Sequence, residues 1–304
     1  MIDEVIVIGI DHGFGDIKTR NCCFSTGIDK VPSPPIVYDN VLEYMNCCYH
    51  IGGDRLKIQE SKTENDNYYI LTLAAIAKEL KIRGIKSGRI VLAVGLPIGR
   101  FASEKSKFIN YLNKNKMIRF KYERVPYEII LDKVLVYPQC FSAIVERLPE
   151  LNGLAYVVDI GSWTIDTLKV LNRTPDESGC SSSPEGVITF IHKIQDVCYE
   201  KLNCKLDEHL IKEYMMYGKV SLNQDFTDII DNELTKYTER ILRTLIENGI
   251  NTKVTPIIFV GGGANLVKNY GGLIQKNISY VEDVKANACG YEILANLYLT
   301  SKGR

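Results

Sequence analysis

The sequence predicts an α/β protein built as two similar lobes, and three stretches carry that prediction. The first is LAYVVDIGSWTIDTLKV, residues 154–170. An apolar strand ends in Asp159, turns at Gly161 and Ser162, and returns as a second strand from Thr164, a hairpin pattern. The second lies near the N-terminus, where Val5–Ile10 is another apolar strand. It ends in Asp11 and is followed by His12-Gly13-Phe14-Gly15-Asp16-Ile17-Lys18. The third is the buried-strand run Pro256–Val260, which leads into Gly261-Gly262-Gly263. A carboxylate at a strand end is held rigidly, and the amides of a concave Gly turn suit a phosphate. The acid suits the hydrated magnesium that travels with it. Two such hairpins far apart in the chain suggest two similar halves facing each other across a nucleotide. The Gly triplet can bring backbone close to a flat ligand at the start of a helix.

Composition sets the bounds. A chain of 304 residues has room for about two domains. Apolar residues make up 45% and charged residues 24%, the balance of a globular protein. With 37 basic and 37 acidic side chains the formal charge is zero, so no global field argues for direct nucleic-acid or membrane binding. The N-terminal MIDEVIVIGID carries acids and no basic region, and reads as a first strand rather than a signal peptide. The nine cysteines include the neighbours Cys22-Cys23 and Cys47-Cys48 but no C-x-x-C, which fits a reducing, cytoplasmic setting better than a disulfide scaffold. Neighbouring strand cysteines point to opposite faces and grip one metal ion poorly.

In order along the chain, strands are expected at Val5–Ile10, Ile17–Phe24, Val41–Tyr44 and Cys47–Ile51, with a loop at Pro32–Pro35. Apolar residues at helical spacing from Tyr69 to Leu80 predict a helix. Ile90–Gly95 is a buried strand, and a helix follows Pro97 through Tyr111. Tyr127–Val136 returns as strand, with a helix at Cys140–Leu148. The polar run Asn172–Ser183 reads as a loop or hairpin tip. Helices then follow from Gly186 to Leu202, Leu206 to Tyr217 and Asp225 to Asn248, the last with an apolar stripe that reads as core packing. A closing helix spans about 286–299. Neither a P-loop nor a G-x-G-x-x-G fingerprint is present.

DHGFGDIK (residues 11–18), DIGSWTID (159–166) and VGGGANL (260–266) resemble the two phosphate motifs and the adenosine motif of the actin/sugar-kinase/heat-shock-chaperone superfamily. VGLPIGRF (94–101), VYPQCFSA (136–143) and KANACGY (285–291) are similar to segments of ParM-like, plasmid-segregating bacterial actins. The resemblance implies an actin-like two-lobed fold. Two ribonuclease-H-like domains, residues 1–157 and 158–304, would flank a nucleotide cleft, with the last helix packing back on the first domain. It also implies ATP (or GTP) with Mg2+, filament self-assembly, and a DNA-binding adaptor protein that links the filament to a plasmid centromere.

Carried over by position, Asp11 and Asp159 would hold magnesium through its waters. Gly13, Phe14 and Gly15 would contact the β-phosphate by backbone, and Lys18 would neutralise phosphate charge. Gly161, Ser162 and Trp163 would embrace the β- and γ-phosphates, and Gly261, Gly262 and Gly263 would lie against the adenosine. Gln139 falls where the family orients the attacking water, at a position where close ParM relatives carry Glu. A neutral amide aligns water but is a poor proton acceptor, which is compatible with slow hydrolysis. Phe14 and Trp163 depart from the small or hydroxyl residues often found in these turns. Three readings follow: a filament-forming ATPase, a small-molecule kinase of the same superfamily, and a non-polymerising nucleotide-gated interaction protein.

Overall fold

The computed structural model describes residues 5–32, 35–218 and 220–302, apart from the side chain at 177. Ser33 and Pro34 of the proline-rich break lie outside the described residues. The chain divides into two compact units. One is the chain up to Glu146 together with the segment from Lys285 onward, and the other is Arg147–Val284.

The first unit contains β1 (Val5–His12), β2 (Asp16–Lys18), β3 (Cys23–Ser25), β4 (Ile28–Val31), β5 (Val41–Tyr44), β6 (Cys47–Ile51), α1 (Asn67–Ile82), β7 (Ser87–Leu96), α2 (Ile98–Leu112), β8 (Met117–Tyr122) and β9 (Val125–Pro138). A 3-10 helix, Ser142–Glu150, follows. The second unit holds β10 (Leu154–Ile160), β11 (Ile165–Leu171), β12 (Thr174–Ser183), α3 (Val187–Leu202), α4 (Glu208–Tyr217), α5 (Gln224–Glu247), β13 (Ile257–Val260), α6 (Ala264–Tyr270) and β14 (Ile278–Tyr280). The chain then returns to the first unit as α7 (Ala286–Lys302).

The two sheets share one plan. In the first, the order β3-β2-β1-β7-β9 has antiparallel pairs on one side of β1 and parallel pairs on the other. The second repeats it as β12-β11-β10-β13-β14. The first sheet then extends through β8, β5, β6 and β4. Parallel strands are covered on both faces, so they read as continuous apolar runs. In β1, Ile8 and Ile10 join the core under α1, while Val7 faces the cluster with Tyr291 and Ala295 of α7. Likewise Ile90, Leu92 and Val94 of β7 face α1, and Val91 and Ala93 face α7. Each of the Val, Leu and Ile side chains contributes about 1.5–3 kcal/mol on burial. In the second unit the stripe of α5, including Ile230, Leu234 and Ile241, lies in the core, where Tyr237 stacks on Phe190 with ring centroids 4.4 Å apart.

Several local readings change. The sequence reads Ile17–Phe24 as one strand, but the chain breaks at Arg20-Asn21, where Thr19 N–H donates to the Cys22 carbonyl (2.8 Å) and closes a tight turn between β2 and β3. Cys140–Leu148 reads as a helix. The chain instead winds as a 3-10 turn from Ser142, with Pro149 inside it, a residue that α-helical hydrogen bonding does not accommodate. The polar stretch read as a loop or hairpin tip, Asn172–Ser183, opens with a hairpin turn at Asn172-Arg173, both residues at positive φ, and continues as the strand β12. Its ladder to β11 supplies the order that its side chains do not. No described helix is long and apolar enough to cross a membrane.

Candidate functional site

The first phosphate-motif turn joins β1 to β2. Asp11 and Lys18 are cross-strand partners, with Lys18 Nζ 3.7 Å from Asp11 Oδ2. Every carbonyl of Gly13, Phe14 and Gly15 is engaged from behind. The Tyr68 hydroxyl donates to Gly13 O (3.3 Å), the Thr26 hydroxyl to Phe14 O (3.0 Å), and the Thr26 amide to Gly15 O (3.0 Å). A trans peptide points its C=O and the next N–H in opposite directions. The amides of Phe14, Gly15 and Asp16 are therefore turned away from Tyr68 and Thr26. A Cβ at Gly13 would meet Asp16 O at 2.6 Å and Lys18 Nζ at 3.3 Å, so the turn closes this tightly only with glycine there.

Gln139, just beyond β9, reaches the same place. Its Nε2 donates to Asp11 Oδ1 at 2.9 Å. A carboxylate only accepts, so this contact fixes which end of the amide faces Asp11 and turns Oε1 elsewhere as an acceptor. A glutamate at this position would oppose Asp11 with like charge at contact distance.

The second turn, between β10 and β11, uses the same device with different partners. The first amides of α3 and its cap hold the turn's carbonyls: Gly186 N–H donates to Trp163 O (2.9 Å), Val187 to Gly161 O (3.1 Å) and Ile188 to Ser162 O (2.8 Å). The amides of Ser162, Trp163 and Thr164 accordingly point away from α3. Gly161 spends its own N–H on Thr164 O (2.9 Å), so its part is to shape the turn. Asp159 is buried, and its cross-strand partner is Asp166, also buried. Asp166 accepts the Thr164 hydroxyl at 2.7 Å. The two hairpins thus differ in what faces the acid, Lys18 opposite Asp11 and Asp166 opposite Asp159. Like charges opposed on a hairpin repel, and a cation near them relieves the repulsion. This donor set of hard oxygens fits a hydrated magnesium ion.

The Gly triplet follows β13, the parallel neighbour of β10. Gly261 has φ +84°, and a Cβ there would lie 2.2 Å from Asp159 Oδ1. Gly263 donates its N–H to Ile160 O (2.9 Å) and packs on the Ile160 side chain. Gly262 alone of the three faces open space. Two of the glycines thus answer to β10, and the middle one leaves an uncovered backbone surface.

Three groups around the first turn carry no local sequence signal. His12 is fully buried, with Nε2 2.8 Å from the Thr72 hydroxyl. That hydroxyl spends its proton on Tyr68 O (2.6 Å), so His12 Nε2 is the donor. Burial, and then the nearby Lys62, push its pKa down to about 3. Lys62 is 4% exposed, with Nζ 5.4 Å from the centre of the Phe14 ring. Burial pulls its pKa down to about 8, against the attraction of Asp11 and Glu104. Behind β1, Glu292 of α7 accepts from Gly9 N–H (3.1 Å), Arg20 Nε (2.5 Å) and Arg83 Nη2 (3.2 Å). Arg83 also reaches Glu79 (3.3 Å), which accepts the Thr19 hydroxyl (2.5 Å). Burial would raise the Glu79 pKa, but its hydrogen bonds from Thr19 and Asn21 and the charge of Arg83 hold it below the usual carboxylate value.

Residues 47–141 match a family model described as the N-terminal domain of actin-like proteins, and residues 157–270 match one described as the C-terminal part of the archaeal actin homologue, MreB-like. No curated protein sequence matches the chain. Among solved structures, Ta0583, an archaeal actin homolog in complex with ADP, is similar at a TM-score of 0.79 and 21% identity, over 96% of this chain and 100% of that one. The apo pSK41 ParM protein is similar at 0.73 and 18% identity over 99% of each chain. A 15-stranded ParM filament from Clostridium botulinum is similar at 0.76 and 15% identity, over 97% of this chain and 99% of that one. At these identities the likeness is one of fold. With family models of actin homologues matching in both units, and with the repeated sheet plan, the chain has the actin-like two-domain fold.

Proposed function

We propose that this protein is a filament-forming, magnesium-dependent ATPase. The observation that carries the reading is the repeated hairpin, one in each unit, with a carboxylate at the strand end and a turn whose carbonyls are all tied back so that its amides point the other way. Such a turn offers N–H dipoles to phosphate oxygens at no cost in reorganisation. An ADP complex of the archaeal actin homolog and the filament of the clostridial ParM support the nucleotide and assembly parts by likeness of fold.

In this reading Asp11 and Asp159 hold magnesium through its waters, with Asp166 reinforcing the negative charge beside Asp159. The metal, when bound, supplies charge neutralisation on the phosphates. Phe14 and Gly15, with Gly13 shaping the turn and Lys18 nearby, bind phosphate from one unit. Ser162 and Trp163, on the turn that Gly161 shapes, bind it from the other. Gly262, between Gly261 and Gly263, lies along the adenosine. Gln139, oriented by Asp11, aligns the attacking water through Oε1. It cannot take a proton at neutral pH, so turnover is slow.

Neither unit offers enough contacts to hold a triphosphate well alone. Bound ATP favours a closed conformation, and loss of the γ-phosphate weakens that preference. Filament growth is the expected consumer of the closed state, and segregation of plasmid DNA through an adaptor is the expected use of the filament in a cytoplasmic setting. Titration calorimetry tests the base of this scheme. One ATP per chain is expected, with affinity falling sharply when magnesium is chelated. Absence of binding at millimolar ATP would overturn it.

A further inference from the structure

We propose that Lys62 is a second phosphate-binding cation of the first turn, held beneath the Phe14 ring until nucleotide arrives. The inference rests on the nucleotide reading above and extends it to a residue outside all three sequence motifs.

Lysine is among the residues least often fully buried unless paired. Lys62 nevertheless sits 4% exposed in the segment before α1, and among the described residues it makes no hydrogen bond or ion pair. Its one close partner is the face of Phe14, 5.4 Å away, the middle residue of the turn whose amides are turned outward. The surrounding charges do not give it a dedicated counter-ion. Asp11 and Glu104 attract it at a distance, while Lys18 and Arg100 repel it. Asp11 already faces Lys18 at 3.7 Å and accepts Gln139 at 2.9 Å. A cation in that position carries a desolvation cost that the Phe14 ring and the more distant Asp11 and Glu104 offset only in part. A phosphate on the Phe14–Asp16 amides would bring the missing anion next to it. Phe14, a bulky residue where these turns often carry small ones, is then explained as the cover that keeps Lys62 from collapsing onto Asp11.

The test compares wild type with Lys62→Met, a substitution of similar length and shape without charge, by MgADP titration and by thermal melting without nucleotide. The expected result is MgADP affinity lower by about tenfold to a hundredfold, the range of a charge-assisted contact, with a melting temperature equal to or above that of wild type. Lys62→Arg, which keeps the charge, should recover part of the affinity. Equal MgADP affinity in wild type and Lys62→Met overturns the proposal and leaves the nucleotide site standing. Weaker binding accompanied by a lower melting temperature also overturns it, since Lys62 would then be a packing residue. A wild type that does not bind MgADP overturns the nucleotide reading itself.

Discussion

Asp159→Ala is expected to abolish magnesium-dependent phosphate release while leaving a folded protein. Asp159 is the buried acid at the end of β10, opposite Asp166 and beside the Gly triplet. Its removal takes away one of the two carboxylates, Asp11 and Asp159, that would hold the hydrated ion. A loss of about a hundredfold or more in turnover is the expected scale when a carboxylate orienting a metal's waters is deleted. The readout is phosphate release at saturating ATP, with circular dichroism to verify the fold. Asp159→Asn, which keeps the shape and one acceptor oxygen, should fall between the two. Unchanged turnover in a folded Asp159→Ala protein would remove Asp159 from the site.

The second large effect concerns stability. Glu292→Ala leaves the buried Gly9 amide without its acceptor and deprives Arg20 and Arg83 of a shared carboxylate. Removing one member of such a buried network costs about 3–5 kcal/mol where the remaining charges are fully desolvated. The Arg20 and Arg83 side chains are 43% and 27% exposed, so water recovers part of that. A destabilisation of about 2–3 kcal/mol is therefore expected. For a unit of this size it corresponds to roughly 4–12 °C in melting temperature. Glu292→Gln keeps an acceptor for Gly9 and should lose less. Equal melting of all three proteins would show that the network does not hold α7 to β1.

The parts of the fold that were legible in the sequence are those in which local chemistry and tertiary role coincide. β1, β7, β10 and β13 carry long apolar runs because their middles are covered on both faces. The apolar stripe of α5 was equally plain. β8 was not, because it is six residues long and sets the exposed cations Arg119 and Lys121 between its apolar ones. β12 reads as a loop or hairpin tip since Pro, Gly and four serines give it no apolar face; the tip is at Asn172-Arg173, and the pairing with β11 makes the rest a strand. β4 and β14 are short and lack an apolar run.

At the candidate site, the acids and Gly turns stand out because their chemistry lies in consecutive residues. What pins the turns does not. Thr26 and Tyr68 on one side and the α3 amides on the other come from elsewhere in the chain, and serine, threonine and tyrosine in such positions are unremarkable until the fold brings them in. Lys62 is the extreme case, an ordinary lysine in a polar segment whose burial beneath Phe14 arises only in the folded unit.

The most direct measurement of the central reading is right-angle light scattering with parallel phosphate release, after ATP and magnesium are added at increasing protein concentration. A polymerising ATPase predicts scattering that appears only above a critical concentration, with phosphate release lagging behind it. Flat scattering at every concentration, with steady hydrolysis or none, would contradict it.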